Sequence, residues 1–382
     1  MIRSIAIFSA YYPPHLGGVE LFTKNLAESL IRRGIKVTII TSSSLSCASA
    51  PSFDQKTGPQ IITVPSISIM GDRFPIIIPS RRFFALKTLI DNTAFDGIVV
   101  NTRYYPISLF GCKEASRRKM APVLIDHSSG PISSEKTPLG TLMRLYEKGM
   151  TRVIETCQPK YCSVSKRGLK WLETLRLPTS KVIPNSINAE VYRQLSSNKN
   201  WREALGLNDD SFMVTYAGRL IPEKGLPKLI EAIKGMDQSN VVLVVAGDGP
   251  LAANLAECDL HHIRYVGKLS QSDLSALLAC TDCFCLPTEY PEGLPTVLLE
   301  AAAQECAIVV SDCAGAREVV ENASMGTVLP VVSAEAISKA INALVLNRSM
   351  AKEQALNAKK HIEETFSWEK TSSKLIEVIN GR

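Results

Sequence analysis

A repeated switch of hydrophobic period constrains this chain more than any other feature. Near the N-terminus "IRSIAIFSA" (Ile2–Ala10) is an apolar run of strand length and "YYPPHLGG" is turn chemistry. In "VELFTKNLAESLIRRG", Val19, Phe22, Leu26 and Leu30 fall on one helical face, and "KVTIIT" (Lys36–Thr41) is a strand again. Strand, loop, helix and strand make a βαβ unit, which requires a parallel sheet and right-handed crossovers. Later strands of this half are expected at Gly97–Val100, Val123–Asp126, Tyr161–Val164 and Lys181–Ile183.

From Ser211 the alternation restarts, with strands expected at Phe212–Ala217, Val241–Ala246, Ile263–Val266, Cys283–Leu286 and Ala307–Ser311. The polar stretch "VIPNSINAEVYRQLSSNKNW" between the halves, with Pro184 and Asn185, is read as the interdomain linker, with the boundary near residue 190. A chain of 382 residues suits two such domains. The expected class is α/β, with two doubly wound Rossmann-like domains facing across a cleft.

Composition removes several function classes. Apolar residues make up 45% of the chain and charged residues 21%, as in a globular enzyme, and no run approaches the roughly 20 apolar residues that span a bilayer. The N-terminus lacks the pattern of a cleaved export signal, so a cytoplasmic location is expected. The ten cysteines show no metal-ligand spacing, and no metal or cofactor is expected. The glycines lack the GxGxxG pattern, and the second strand ends in Thr41, Ser42 and Ser43 without a ribose-binding carboxylate, against a nicotinamide enzyme. No zinc-finger, aromatic-platform or heptad signature points to nucleic acid. The net charge of +6 includes basic, partly apolar segments at Ser80–Ile90 and Glu114–Met120; these allow peripheral contact with anionic membrane as well as a solvated helix packed by its apolar face.

In open α/β sheets ligands bind beyond the carboxyl ends of the strands. After the first strand stand Gly17 and Gly18, directly before a helix. After Phe212–Ala217 come Arg219 and Lys224, near the start of a helix expected from Pro227; a cation there opposes the helix dipole unless an anion lies between them. "GDGP" contributes Gly247 and Gly249 after the next strand, and His127 ends "APVLIDH". "PTEYPEGLPTVLLEAAAQE" places Glu292 before an apolar helix and Glu300 within it. Along a helix the two lie on the order of 12 Å apart, beyond the roughly 5–9.5 Å of a glycosidase acid and base, so they are expected to contact different parts of one long ligand.

In this order "PPHLGGVE", "VIPNSIN", "GRLIPEKG", "GDGP", "PEGLPTVLLEA" and "FSWEK" resemble the motifs of retaining glycosyltransferase family 4, the glycosyl transferases group 1. The resemblance covers nearly the whole chain and implies the GT-B fold: an acceptor domain (1–190), a nucleotide-sugar domain (191–366) and a final helix (367–382) crossing back onto the first. It departs at Asn188, where the family usually has Asp, and at Leu294 and Pro295, where an aromatic residue is frequent.

The resemblance implies transfer of a sugar, with retention and without metal, from a nucleotide diphosphate sugar to a saccharide or lipid-linked acceptor in surface polysaccharide synthesis. A UDP-sugar is favoured over a GDP-sugar. His127, Arg219, Lys224 and Glu292 are the implied catalytic group. Donor contacts are implied at Gly17, Gly18, Arg219, Lys224, Gly247, Gly249, Glu292, Gly293, Leu294, Pro295 and Glu300, with Glu300 on the ribose hydroxyls. Acceptor contacts are expected at Arg103, Tyr104 and His127. The alternative is a nucleotide-sugar epimerase of the same fold; a pyridoxal-phosphate phosphorylase and a two-lobed solute-binding protein are the more distant readings.

Overall fold

The computed structural model describes residues 2–381 apart from 16, 45–57, 70–73, 134–136, 237–239, 257–261 and 314. It divides into two compact units, Met1–Asn185 with Trp368–Arg382, and Ser186–Ser367. The first unit contains β1 (Ser4–Ser9), α1 (Gly18–Arg32), β2 (Lys36–Ser44), β3 (Gln60–Ile69), β4 (Phe74–Ile77), α2 (Arg81–Asn92) and β5 (Gly97–Asn101). It continues through α3 (Pro106–Arg117), β6 (Val123–Asp126), α4 (Pro138–Glu155), β7 (Lys160–Ser163), α5 (Lys166–Thr174) and β8 (Thr179–Val182).

The second unit begins with α6 (Ala189–Gln194), α7 (Trp201–Ala204), β9 (Phe212–Ala217), α8 (Leu226–Lys234), β10 (Val241–Ala246), α9 (Ala252–Ala256) and β11 (Ile263–Gly267). It is completed by α10 (Gln271–Ala279), β12 (Cys283–Leu286), α11 (Thr296–Ala303), β13 (Ala307–Ser311), α12 (Ala316–Val319), β14 (Thr327–Leu329), α13 (Ala334–Leu346) and α14 (Arg348–Thr365). The last helix, α15 (Trp368–Ile379), belongs to the first unit.

The first sheet has the order β4-β3-β2-β1-β5-β6-β7-β8 and the second β11-β10-β9-β12-β13-β14. Every pair is parallel except β3 with β4. That hairpin was not expected: Pro65 inside β3 and Pro75 inside β4 break the apolar runs; Pro75 is tolerated because β4 is an edge strand, and Pro65 precedes Ser66, where the pairing of β3 with β4 ends.

Strand alternation separates two cores in the first unit. Phe8, Val100 and Leu124 pack with α2, α3 and α4 on one face, whereas Ile7, Val99 and Ile125 pack with α1 and α15 on the other. α15 holds its place through Trp368, Leu375 and Val378, all buried, and through Ser29, whose hydroxyl donates to the Trp368 carbonyl (3.0 Å). The chain leaves the first unit at Asn185 rather than near 190. The Ile187 N–H donates to Phe366 O (2.9 Å), and Ala189 and Tyr192 lie in the second core, so the supposed linker is already part of the second unit.

Trp368 is the largest side chain that α15 contributes to this core. Trp368→Ala should destabilise the first unit by about 3–5 kcal/mol, the usual cost of truncating a buried tryptophan. Leu346→Ala, at an exposed site on α13, should stay within about 0.5 kcal/mol of wild type in the same denaturant titration.

Candidate active site

Each sheet reverses its strand order once, between β1 and β5 in the first unit and between β9 and β12 in the second. At such a point the following loops diverge, leaving room for a ligand at the carboxyl ends of the strands.

In the second unit the loops after β9, β10 and β12 are pressed together backbone to backbone. Leu220 N–H donates to Asp248 O (2.8 Å), and a Cβ on Gly247 (φ 139°) would strike the Gly218 carbonyl. A single 3-10 turn, Pro222–Lys224, leads to Gly225 at φ 77°, where a Cβ would strike the Pro287 carbonyl. These contacts put Arg219 and Lys224 beside the loop after β12. The Lys224 ammonium pairs with the Glu292 carboxylate, and both cations sit over the Tyr290 ring, Arg219 at 5.8 Å and Lys224 at 5.7 Å from its centroid. Arg219 is exposed and Lys224 is buried. Burial, reinforced by the neighbouring Arg219 charge, pulls the Lys224 ammonium down to about 7, while Glu292 acts in the opposite direction.

Glu300 lies on α11 between Leu299 and Ala301, both in the core, and only 8% of it is exposed. Burial pushes its carboxyl up to about 7. Among the described residues no side chain or backbone N–H hydrogen-bonds or pairs with that carboxylate, although buried polar groups are normally satisfied. The Leu294 side chain is packed in the core, and Pro295 beside it has no N–H to offer.

In the first unit His127 follows β6, edge-on to Phe22 at 4.8 Å, with Nε2 3.1 Å from the Asn101 side-chain oxygen. Burial pulls the imidazole down to about 3, so it is neutral at pH 7. Its tautomer follows from proton counting. Thr23 donates its hydroxyl proton to the Val19 carbonyl (2.7 Å) and accepts from Asn101 Nδ2 (2.7 Å), which leaves Asn101 Oδ1 to accept from His127 Nε2–H. Nδ1 then carries the free lone pair.

Arg103 corrects the acceptor expectation. It is fully buried, with its guanidinium committed to Asp126 and Glu147, so it has no surface to offer a ligand. Asp126 also accepts from the Ser128 backbone N–H (2.9 Å), so this buried triad positions the His127 loop. Thr102, between Asn101 and Arg103, adopts φ 65°, a costly conformation for a β-branched residue. Tyr104 is half-buried, its ring 4.9 Å from that of Tyr105 and its carbonyl accepting from Tyr146. Gly17 caps α1, and a Cβ there would strike the Glu20 carboxylate, which is buried and pairs with His15 (3.0 Å). Gly18 opens α1 with free space around it. Among the described residues no three His, Cys, Asp or Glu are grouped to hold a metal ion.

The family described as "Glycosyltransferase Family 4" matches residues 16–191, and "Glycosyl transferases group 1" matches residues 197–361. Together they span nearly the whole chain. It belongs to these GT-B glycosyltransferases. An uncharacterized glycosyltransferase of Methanocaldococcus jannaschii is 25% identical, covering 98% of this chain and 97% of its own. The phosphatidyl-myo-inositol mannosyltransferase of Mycobacterium leprae is 24% identical over 95% and 92%. HepE of Anabaena, solved with UDP, superposes with a TM-score of 0.75 over all of both chains at 17% identity.

For this glycosyltransferase the sequence reading passed over Tyr290, the ring under both cations, and Asn101, the partner of His127. Tyr290 stands in "TEYPEG" with no periodicity to mark it. Asn101 ends a strand, and only its pairing with Thr23 shows what it does. If Asn101 fixes the tautomer, the ¹⁵N shifts of His127 at pH 7 will show the proton on Nε2. Asn101→Asp, which places a carboxylate against that N–H, should raise the imidazole pKa. A proton on Nδ1, or an unchanged titration in the variant, contradicts the assignment.

Proposed function

We propose that this glycosyltransferase moves a sugar, with retention of anomeric configuration, from a nucleotide diphosphate sugar to a hydroxyl of a lipid-linked saccharide in surface polysaccharide synthesis. The second unit holds the donor and the first the acceptor. The observation that carries the donor assignment is Glu300. A buried carboxylate with no partner among the described residues calls for hydrogen-bond donors, and the two hydroxyls of a ribose supply them. A UDP-sugar is favoured, in line with the likeness to a protein solved with UDP.

The diphosphate lies against Arg219 and Lys224. Main-chain groups at Gly247, Gly249, Gly293 and Leu294 line the donor, and Glu292 meets the sugar while holding Lys224. The bond from the anomeric carbon to the diphosphate oxygen breaks, and the electron pair leaves with the diphosphate. The acceptor oxygen bonds to that carbon on the same face, and its proton passes to the departing phosphate. Arg219 and Lys224 stabilise the charge that develops on the leaving group, so no metal ion takes part. His127, neutral with a free Nδ1, accepts from a sugar hydroxyl, and Tyr104 borders the acceptor. The work is done on the cytoplasmic face of a membrane, with α2 as a peripheral contact.

Glu300→Gln tests the assignment with two opposed readouts. In the free protein the folded carboxyl titrates near 7 and the unfolded one near 4.5, so burial destabilises increasingly as pH rises through this window. At pH 8 Glu300→Gln should therefore stabilise the free protein, by up to about 3 kcal/mol, and at pH 4 it should change little. The same variant should lose most of the thermal shift caused by a UDP-sugar, which in wild type corresponds to about 2.7 kcal/mol at a hundred times the Kd. A variant that responds to UDP-, GDP- and ADP-sugars as wild type does refutes the ribose role. Sugar interconversion without an acceptor would replace transfer by epimerisation.

A further inference from the structure

The net charge of +6 conceals a strong division. The first unit carries 28 lysines and arginines against 14 aspartates and glutamates, a net of +14, whereas the second carries 15 against 23, a net of −8. The first unit also has an apolar band on its outside. Leu139, Leu142 and Leu145 of α4 are each more than half exposed, and Val153 follows at 44%. At 3.6 residues per turn these four positions fall within an arc of about 120°. Gly140, Glu147, Thr151 and Ile154 of the same helix are buried and lie on the opposite side. Exposed Lys148 and Arg152, with half-buried Arg144, run along one edge of the leucine band.

α4 shares its sheet face with α2 and α3, since Leu86, Ile90, Ile107, Cys112, Ala115 and Ile154 pack into one core. Exposed Arg81 and Phe84 of α2 therefore project from the same side of the unit. Among the described residues no helix is long and apolar enough to cross a membrane, so this band is suited to lying on a surface.

We infer that the outer face of α4 docks on an anionic lipid bilayer, its leucines entering the acyl boundary and its basic edge meeting the headgroups. Charge complementarity selects this occupant: apolar side chains bordered by cations, on the positively charged unit, match a negative lipid surface. The inference rests on the peripheral-membrane part of the reading above and adds the element that inserts, which α2 alone does not supply.

The test is co-sedimentation of the full chain with vesicles of phosphatidylglycerol and phosphatidylcholine, alongside vesicles of phosphatidylcholine alone. Wild type should bind the anionic vesicles, bind the neutral ones weakly, and be released by 1 M salt, where the Debye length falls to about 3 Å. The combined Leu139→Ser, Leu142→Ser and Leu145→Ser variant should bind about tenfold more weakly with unchanged circular dichroism. Lys148→Glu with Arg152→Glu should weaken binding by at least as much, each cation being worth about fivefold. Val331→Ser with Leu346→Ser, at exposed sites of the acidic unit, should bind as wild type does.

If wild type ignores anionic vesicles, both the peripheral reading and the α4 inference fail. If both α4 variants bind normally while Arg81→Glu with Arg82→Glu does not, α2 is the contact and the α4 inference is overturned. If the leucine variant instead dissolves a dimer seen by light scattering and leaves vesicle binding intact, the band is a self-association surface and the inference is again overturned.

Discussion

The right-handed crossover between parallel strands is the constraint on which the rest depends. It forces the helices to cover each sheet in a fixed sense, so a sheet covered on both faces must reverse its strand order somewhere. In the second unit that reversal places β9 beside β12, and every charged group of the candidate donor site follows one of these two strands. Gly225 and Gly247 then let the loops approach until main chain meets main chain, which converts a topological opening into a fixed arrangement of Arg219, Lys224, Tyr290 and Glu292.

Inside this arrangement two buried groups are held away from their ordinary ionisation in opposite directions. Burial raises Glu300 and lowers Lys224, both to about 7, and for Lys224 the Glu292 carboxylate beside it works against that fall. A nucleotide sugar would relieve both, its hydroxyls donating to the carboxylate and its diphosphate facing the ammonium. The stability forgone in the free protein then reappears as selectivity for a ligand with both features. Arg103 shows the contrasting use of burial: its charge is compensated by Asp126 and Glu147, so it organises a loop without contacting a ligand.

Much of the fold was legible because parallel strands buried on both faces form continuous apolar runs, and β6, β9, β10, β12 and β13 fall where those runs lie. β3 and β4 were missed because Pro65 and Pro75 interrupt them, and β14 because three residues carry no period. Arg219, Lys224, Glu292 and Glu300 could be nominated because charge beside a strand end or inside an apolar helix needs a reason. Arg103 was misplaced because sequence gives no sign that Glu147, 44 residues away, will cover it. Asn101 and Tyr290 act through contacts that only the folded chain creates.

Proton exchange on donor binding tests the central claim most directly, measured calorimetrically with UDP-glucose in buffers of different ionisation enthalpy. The diphosphate of this ligand stays fully ionised between pH 6 and 8, so the protons exchanged belong to the protein. At pH 6 Glu300 is mostly protonated in the free protein, and donation from the ribose must expel that proton, so binding should release close to one. At pH 8 the carboxylate is already ionised, so the release should fall away. Glu300→Gln should abolish the release at pH 6. Binding at pH 6 without proton release, or release that persists in Glu300→Gln, would contradict the account.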